Sequence, residues 1–516
     1  MISCVVLERP GKWRTVGVAA LLLTAMLPAV PLLHHLLTSP SSAASVMTGA
    51  FASALRHSLL LGGGVTAISL AVGLPLGVLA ALYEFPARKI LLALATLPLL
   101  VPSFLWAIGW SSLAARLGPV ATNAISGFSG CMLVFSSGAI PLALLTSYAA
   151  CTTLSGSQLD AARLAGADRC VLKYALRHAI APTLLAACLG GILTLSDPGP
   201  GQILGLSTAA AELLTTFSAQ YDFTLAARQC LVLTVIVLAL ATPLACFAAP
   251  CIAREILARQ SAAKERIRNP KTAILTCGAF ALFILLGVVG PVVGLVTPIA
   301  RGSDISSALS ELLRTSTNTL LYAGGAGVAA AIFGLLLAIV VGRSNRLRTV
   351  CLGVCLALFS LPPAFLAIGI VRLAAEAPSW ADPVLRSRLT VCLTLALRFF
   401  PVAAVLALRS WGSTSPSWAL VGGLHGLSLS TYLRRVAFPL ALPAAGIGML
   451  VVALLATSDI GTVLLLHPPG QDSFPLAIFT VMANARESFV ASLCLVYIIA
   501  ACGFLTLVWM VAGYRR

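Results

Sequence analysis

Apolar runs of about 20 residues recur along this sequence, and that feature alone leaves the chain few ways to fold. A run of that length crosses a ~30 Å hydrocarbon core. No water is present there to satisfy the backbone, so each run must close its own hydrogen bonds as a helix. The runs fall at roughly 16–37, 58–83, 90–112, 130–150, 181–196 and 228–252. Six more follow at roughly 272–298, 319–342, 349–371, 389–408, 439–458 and 489–513. Only 9% of the 516 residues are charged, against roughly a quarter in soluble chains. The pattern predicts an all-α polytopic membrane protein with about 12 transmembrane helices. A cleaved leader ending near Ser42–Ala44 is the rival reading of the first run. That run exceeds the 7–15 residues of a leader's apolar core, so it reads as a retained span.

Charge placement orients the spans. With both termini on one face, that face collects 23 of the 33 Lys and Arg residues but only 6 of the 16 acidic ones. Such a bias marks the cytoplasmic side. It accounts for the net charge of +17 without any nucleic-acid partner.

The sequence also repeats. At an offset of 260, Pro102 matches Pro362, Arg88 matches Arg348, Pro141 matches Pro401 and Gly166 matches Gly426. Ala107-Ile108-Gly109 matches Ala367-Ile368-Gly369 in the same register, and Ser196-Asp197 matches Ser458-Asp459 at 262. Each half holds six spans, an even number, so the two have the same orientation and form parallel repeats. The expected organisation is an N-terminal half at 1–253, a basic cytoplasmic linker at 254–271 and a C-terminal half at 272–516.

No enzyme site emerges, and no catalytic residue is assigned. There is no Gly-x-x-x-x-Gly-Lys-Ser/Thr phosphate loop, no Gly-x-Ser-x-Gly and no His-Glu-x-x-His. The 14 cysteines contain no Cys-x-x-Cys and lie mostly inside apolar runs. Cys351 and Cys355 share a helical face, but with no His or carboxylate beside them they read as small core residues rather than metal ligands. His34 and His35 point different ways on a helix. No metal site is assigned.

The most polar long segment of the N-terminal half is Ser157–Pro182. It reads as two short helices broken near Gly166. Ser157 is expected to be the N-cap, with Asp160 three residues on as a variant capping box. Ala161 and Ala162 are small enough for another protein to approach closely. Gly166 suits a sharp turn, and Pro182 opens the next span, where its missing N–H costs little. The corresponding stretch, 415–439, carries Leu420-Val421-Gly422 before Gly426 and Arg434-Arg435-Val436-Ala437-Phe438-Pro439 after it.

Asp160-Ala161-Ala162-x-x-x-Gly166, followed by a proline and a span, resembles the EAA loop of the permease subunits of binding-protein-dependent ABC importers. Asp stands where Glu is usual, and Ala179 stands 13 residues after the glycine where the family has proline. In the second half Pro439 keeps that spacing, but Leu420 replaces the acidic residue. Leu97-Pro98-Leu99-Leu100-Val101-Pro102, Ser360-Leu361-Pro362-Pro363 and the Ser-Asp-x-Gly at 196–199 and 458–461 extend the resemblance. Two fused six-span halves are similar to the ferric-iron permeases, and also to those for thiamine, phosphonate and polyamines.

The resemblance implies two parallel six-helix repeats of the MetI-like permease fold in the bacterial inner membrane. It implies no cofactor in this chain, with ATP and Mg on a separate cytoplasmic ATPase dimer. Asp160, Ala161, Ala162, Gly166 and Gly426 would couple to that ATPase, and a periplasmic or lipid-anchored binding protein would deliver substrate. Candidates for the pathway are Arg398, mid-span, Asp197 and Asp459 at matching span ends, and Pro102 and Pro362. Arg398 could meet an anionic substrate or tie helices together, and both roles stay open. An ion-coupled transporter of parallel repeats is the alternative, but such transporters use intramembrane carboxylates and no mid-span carboxylate is found here.

Overall fold

The computed structural model describes residues 11–38, 46–47, 49–255, 266–299, 304–413 and 415–513. Residues 256–265 of the linker, the stretch around Ser42–Ala44 and the basic end Arg515–Arg516 lie outside them. Among the described residues the chain is helical, with one isolated bridge between Tyr83 and Ile267. In chain order the first helices are α1 (Lys12–His34), α2 (Gly49–Leu82), α3 (Arg88–Leu100), α4 (Ser103–Leu117), α5 (Phe128–Thr152) and α6 (Gly156–Thr194). They are followed by α7 (Gly199–Leu204), α8 (Phe223–Glu255), α9 (Pro270–Ile299), α10 (Ile305–Val341), α11 (Asn345–Ser360) and α12 (Pro363–Glu376). The last are α13 (Arg388–Ser413), α14 (Pro416–Leu424), α15 (Leu429–Ser458), α16 (Ile460–Leu466) and α17 (Glu487–Gly513). Among the described residues, ten helices are long and apolar enough to cross a membrane, or up to 12 if each bent pair counts as one span. The protein is a polytopic α-helical membrane protein.

The two bent pairs correct the expectation of continuous spans at 90–112 and 349–371. α3 meets α4 at 100° and α11 meets α12 at 80°. The cause is local. Proline pushes the residue before it out of the helical region, and Val101 (ψ 138) and Leu361 (ψ 141) are extended. Pro102 and Pro362 then become the N-caps of α4 and α12, their carbonyls accepting the N–H of Leu105 and Phe365. The proline- and glycine-rich run 197–201 also enters a helix. α7 begins at Gly199, with Pro198 as its N-cap and Pro200 in the first turn, where a missing N–H is harmless.

Contacts group the chain into two compact units, each drawn from both halves of the sequence. Unit N comprises 41–233, 258–312 and 478–516; unit C comprises 1–40, 234–257 and 313–477. The contiguous halves 1–253 and 272–516 are therefore units of sequence, while the packing redistributes them. In unit N, α2, α5 and α6 pack together, and α9 lies on α4. A Cβ at Gly294 would strike the Gly109 carbonyl, so two backbones meet there. In unit C, α13 packs on α15 and α11, and α1 lies on α12. A Cβ at Gly369 would strike the Pro28 carbonyl. The opening span of each sequence half is thus seated on the Ala-Ile-Gly triplet of the other half. Small residues at such crossings let helices approach closely where lipid gives no hydrophobic drive.

Candidate functional site

The loop between α5 and α6 is built on a buried seam. Val171, Ala175 and Ala179 recur every four residues along α6 and pack against Val78, Leu82, Tyr83, Ala150, Cys151, Leu154 and Ile267. That spacing keeps one helical face inward. Leu159 and Ala162 continue the inward face into the first turns of α6, which turns Asp160, Ala161, Arg163 and Leu164 outward.

The cap lies two residues earlier than the sequence suggested. Ser155, not Ser157, is the N-cap: its hydroxyl accepts the Gln158 N–H at 3.3 Å, and the Gln158 side chain accepts the Ser155 N–H at 2.9 Å. This is a complete capping box. Buried Leu154 and inward Leu159 fix the entry, so Ser157 is left at the second helical position, where its hydroxyl reaches Ser155. Asp160 caps nothing. It is exposed and makes no hydrogen bond or ion pair among the described residues.

The break follows at Gly166 (φ 173, ψ 40) and Ala167 (φ 55, ψ −155). The left-handed residue is therefore Ala167, and the φ of Gly166 is open to any residue. A Cβ at Gly166 would meet the Cys170 thiol. Across the break, Arg163 and Asp168 approach to 3.8 Å while half-exposed. Burial, and second the Asp168 carboxylate, push the Tyr83 phenol above its usual range, with Arg163 pulling the other way. The turn is thus packed on the end of α2 and on Ile267, whose N–H and C=O pair with Leu82 and Glu84.

The loop between α13 and α15 reaches a similar shape by another route. α14 ends in a full Schellman motif: the Gly426 N–H donates to the Gly423 carbonyl and the Leu427 N–H to the Gly422 carbonyl. Gly426 has φ +70, the left-handed conformation that glycine adopts without penalty. Ser428 then caps α15 through the Thr431 N–H at 3.3 Å, and a π-turn spans Leu433–Ala437.

One feature is common to both loops and was not singled out from the sequence. Two residues before each glycine stands a leucine, Leu164 at 90% and Leu424 at 86% exposure. Their shared offset of 260 was the available signal.

The pathway candidates separate into two clusters. In unit C the Arg398 Nη1 donates to the Asp459 carboxylate at 2.6 Å, with side-chain exposures of 14% and 2%. Asp459 also caps α16, accepting the Thr462 N–H at 3.0 Å and the Thr462 hydroxyl at 2.7 Å. In unit N, Asp197 accepts the Ser103 hydroxyl at 2.5 Å and the Gly199 N–H at 2.9 Å. Both aspartates therefore hold the start of a short helix, and Arg398 is tied to a carboxylate rather than to backbone carbonyls. Pro102 and Pro362 stand at the bends. Cys351 and Cys355 are buried with their sulfurs 4.0 Å apart.

Comparison with known proteins adds one finding. No curated protein and no solved structure matches the chain. Residues 73–260 match the family model of the binding-protein-dependent transport system inner membrane component. That stretch holds the α3–α4 bend, α5 and the whole of α6 with its capped, broken turn. Over residues 73–260 the chain is thus similar to the inner membrane permease components of binding-protein-dependent transport systems.

Proposed function

We propose that this chain supplies both halves of the translocation pathway of an ATP-driven importer, and that its two glycine-centred loops are the handles on which a separate ATPase dimer pulls. The single observation that carries the coupling role is the pair Leu164 and Leu424, nearly fully exposed at equivalent places on two preformed helix-turns. Exposed apolar side chains held rigidly are what a partner's groove buries. Asp160, Ala161 and Ala162 would frame the first anchor, and Gly426 would set the second. The spans would shift between two arrangements according to which one the closed ATPase favours.

ATP and Mg would sit on the ATPase, with both termini and both loops on the cytoplasmic face of a bacterial inner membrane. A periplasmic or lipid-anchored binding protein would load the opposite face. The fused two-half arrangement resembles ferric-iron permeases, so ferric iron is the cargo to test first. An ion-coupled mechanism would need a carboxylate free to exchange its ion, whereas Asp459 is neutralised by Arg398.

The deciding experiment co-expresses the full chain with a candidate ABC ATPase subunit from the same genome. Wild-type protein should retain the ATPase on purification and hydrolyse ATP only in its company. Hydrolysis by the purified chain alone, or equal retention by a Leu164→Asp, Leu424→Asp double variant, would overturn the coupling reading.

A further inference from the structure

Arg88 and Arg348 stand 260 residues apart at the starts of α3 and α11, yet they live in different surroundings. In unit N the Arg88 Nε donates to the Ala80 carbonyl at 2.8 Å and its Nη2 to the Tyr148 hydroxyl at 3.0 Å. The guanidinium also lies 5.5 Å from the Tyr148 ring centre. Arg88 is satisfied within the chain.

In unit C another arginine occupies the carbonyl end of the preceding helix. The Arg14 Nη1 donates to the Val341 carbonyl at 3.3 Å, with its guanidinium pressed onto Gly342. The position matching Tyr148 is Leu408, which offers no hydroxyl. Arg348 is left 2% exposed, its Nε and Nη1 buried without a hydrogen-bond partner among the described residues. It has no ion pair among them, and Arg343 is near enough to repel it. A buried guanidinium without an acceptor is costly, because desolvation is not repaid by pairing. The buried Arg348 guanidinium at the α10–α11 elbow, unpartnered among the described residues, calls for a negative charge.

The surroundings indicate where that charge comes from. Trp13 is 42% exposed, with the Arg14 guanidinium 5.2 Å from its ring centre. Lys12 and Arg346 are exposed at the same corner. An exposed tryptophan among cations at the end of a span belongs to the headgroup layer, and basic pockets between spans are phosphate-headgroup sites. We propose that the corner formed by Arg14, Arg343 and Arg348 binds a phosphate-class anion, supplied by the headgroup of an anionic phospholipid. The planar fork of arginine suits phosphate oxygens better than a point charge would. The site needs only the membrane, so it stands or falls apart from the transport reading.

The test uses full-length protein in nanodiscs of phosphatidylcholine with or without phosphatidylglycerol, and in phosphatidylcholine with millimolar inorganic phosphate. The readouts are thermal unfolding and lipid retention by native mass spectrometry. Wild type should unfold a few degrees higher with phosphatidylglycerol and retain one more such lipid than Arg348→Met. A matching rise with inorganic phosphate would also support the anion site and assign its source to the free ion. Arg348→Met in phosphatidylcholine should be at least as stable as wild type, because it removes an uncompensated charge. Arg88→Met, which breaks internal hydrogen bonds, should lose stability yet keep the phosphatidylglycerol response. The proposal is overturned if Arg348→Met responds to phosphatidylglycerol as wild type does, or if neither anion shifts wild type.

Discussion

Between Ser155 and Gly166 the chain turns outward Asp160, Arg163 and Leu164; between Ser415 and Gly426 it exposes Leu420, Val421 and Leu424. One surface is charged around a single leucine, and the other is largely apolar, with Ser417 and His425 its exposed polar side chains. Their frames differ as well. The first helix is entered through a capping box and left through a left-handed alanine, whereas the second is left through a Schellman glycine. What survives these differences is the leucine two residues before the glycine. A partner with one kind of groove can serve both loops only if the groove is apolar at its centre and tolerant of charge at its edge.

The largest effect should come from attacking that shared element. Burying a leucine contributes roughly 1.5–3 kcal/mol, so Leu164→Asp and Leu424→Asp should each weaken ATPase retention by about 10–100-fold. Both side chains are exposed, so thermal unfolding of the chain alone should hardly move. If Leu424→Asp retains the ATPase as well as wild type, the second loop is not a handle and the comparison fails.

Next in size is the backbone at the turns, where the two glycines should separate. Gly426 is left-handed and a Cβ there meets nothing within 4 Å. Gly426→Ala should therefore cost about 1–2 kcal/mol from conformation alone. Gly166→Ala meets only the end of the Cys170 side chain and has no left-handed penalty, so it should cost less in the same unfolding assay. The reverse order would show that the first turn is held by something other than these dihedrals. Ala167→Gly should gain about 1 kcal/mol by relieving the left-handed alanine; a loss would place the strain elsewhere.

Much of this architecture was legible before any coordinates, because length and polarity decide spans nearly alone. The apolar runs, the polar break near Gly166 and the 260-residue register all depend on residues close in sequence or on exact repetition. What escaped depends on competition or on distance. Ser155 and Ser157 are equally good caps in isolation, and the choice falls to Leu154 and Leu159, which must face the seam. The left-handed residue slipped from Gly166 to Ala167 because packing of Val171 and Ala175 fixes the second helix. Proline in an apolar run reads as a tolerated kink, so the 100° and 80° bends were missed. The pairing of Arg398 with Asp459, 61 residues away, and the seating of Pro28 against Gly369 could not be read from any local pattern.

The smallest expected effect is the one that separates charge from shape. Asp160 neither caps its helix nor pairs with any described residue, so Asp160→Ala should leave unfolding unchanged. Exposed ion pairs are weak and screened by salt, so ATPase retention should fall only a few-fold, and less at high salt. Leu420→Asp makes the converse change, placing a carboxylate at the equivalent exposed position of the second loop. If the groove edge carries a cation, this variant should hold the ATPase as well as or better than wild type at low salt. If it instead weakens retention as severely as Leu424→Asp, the second groove is apolar to its edge and the two binding sites on the ATPase dimer differ in kind.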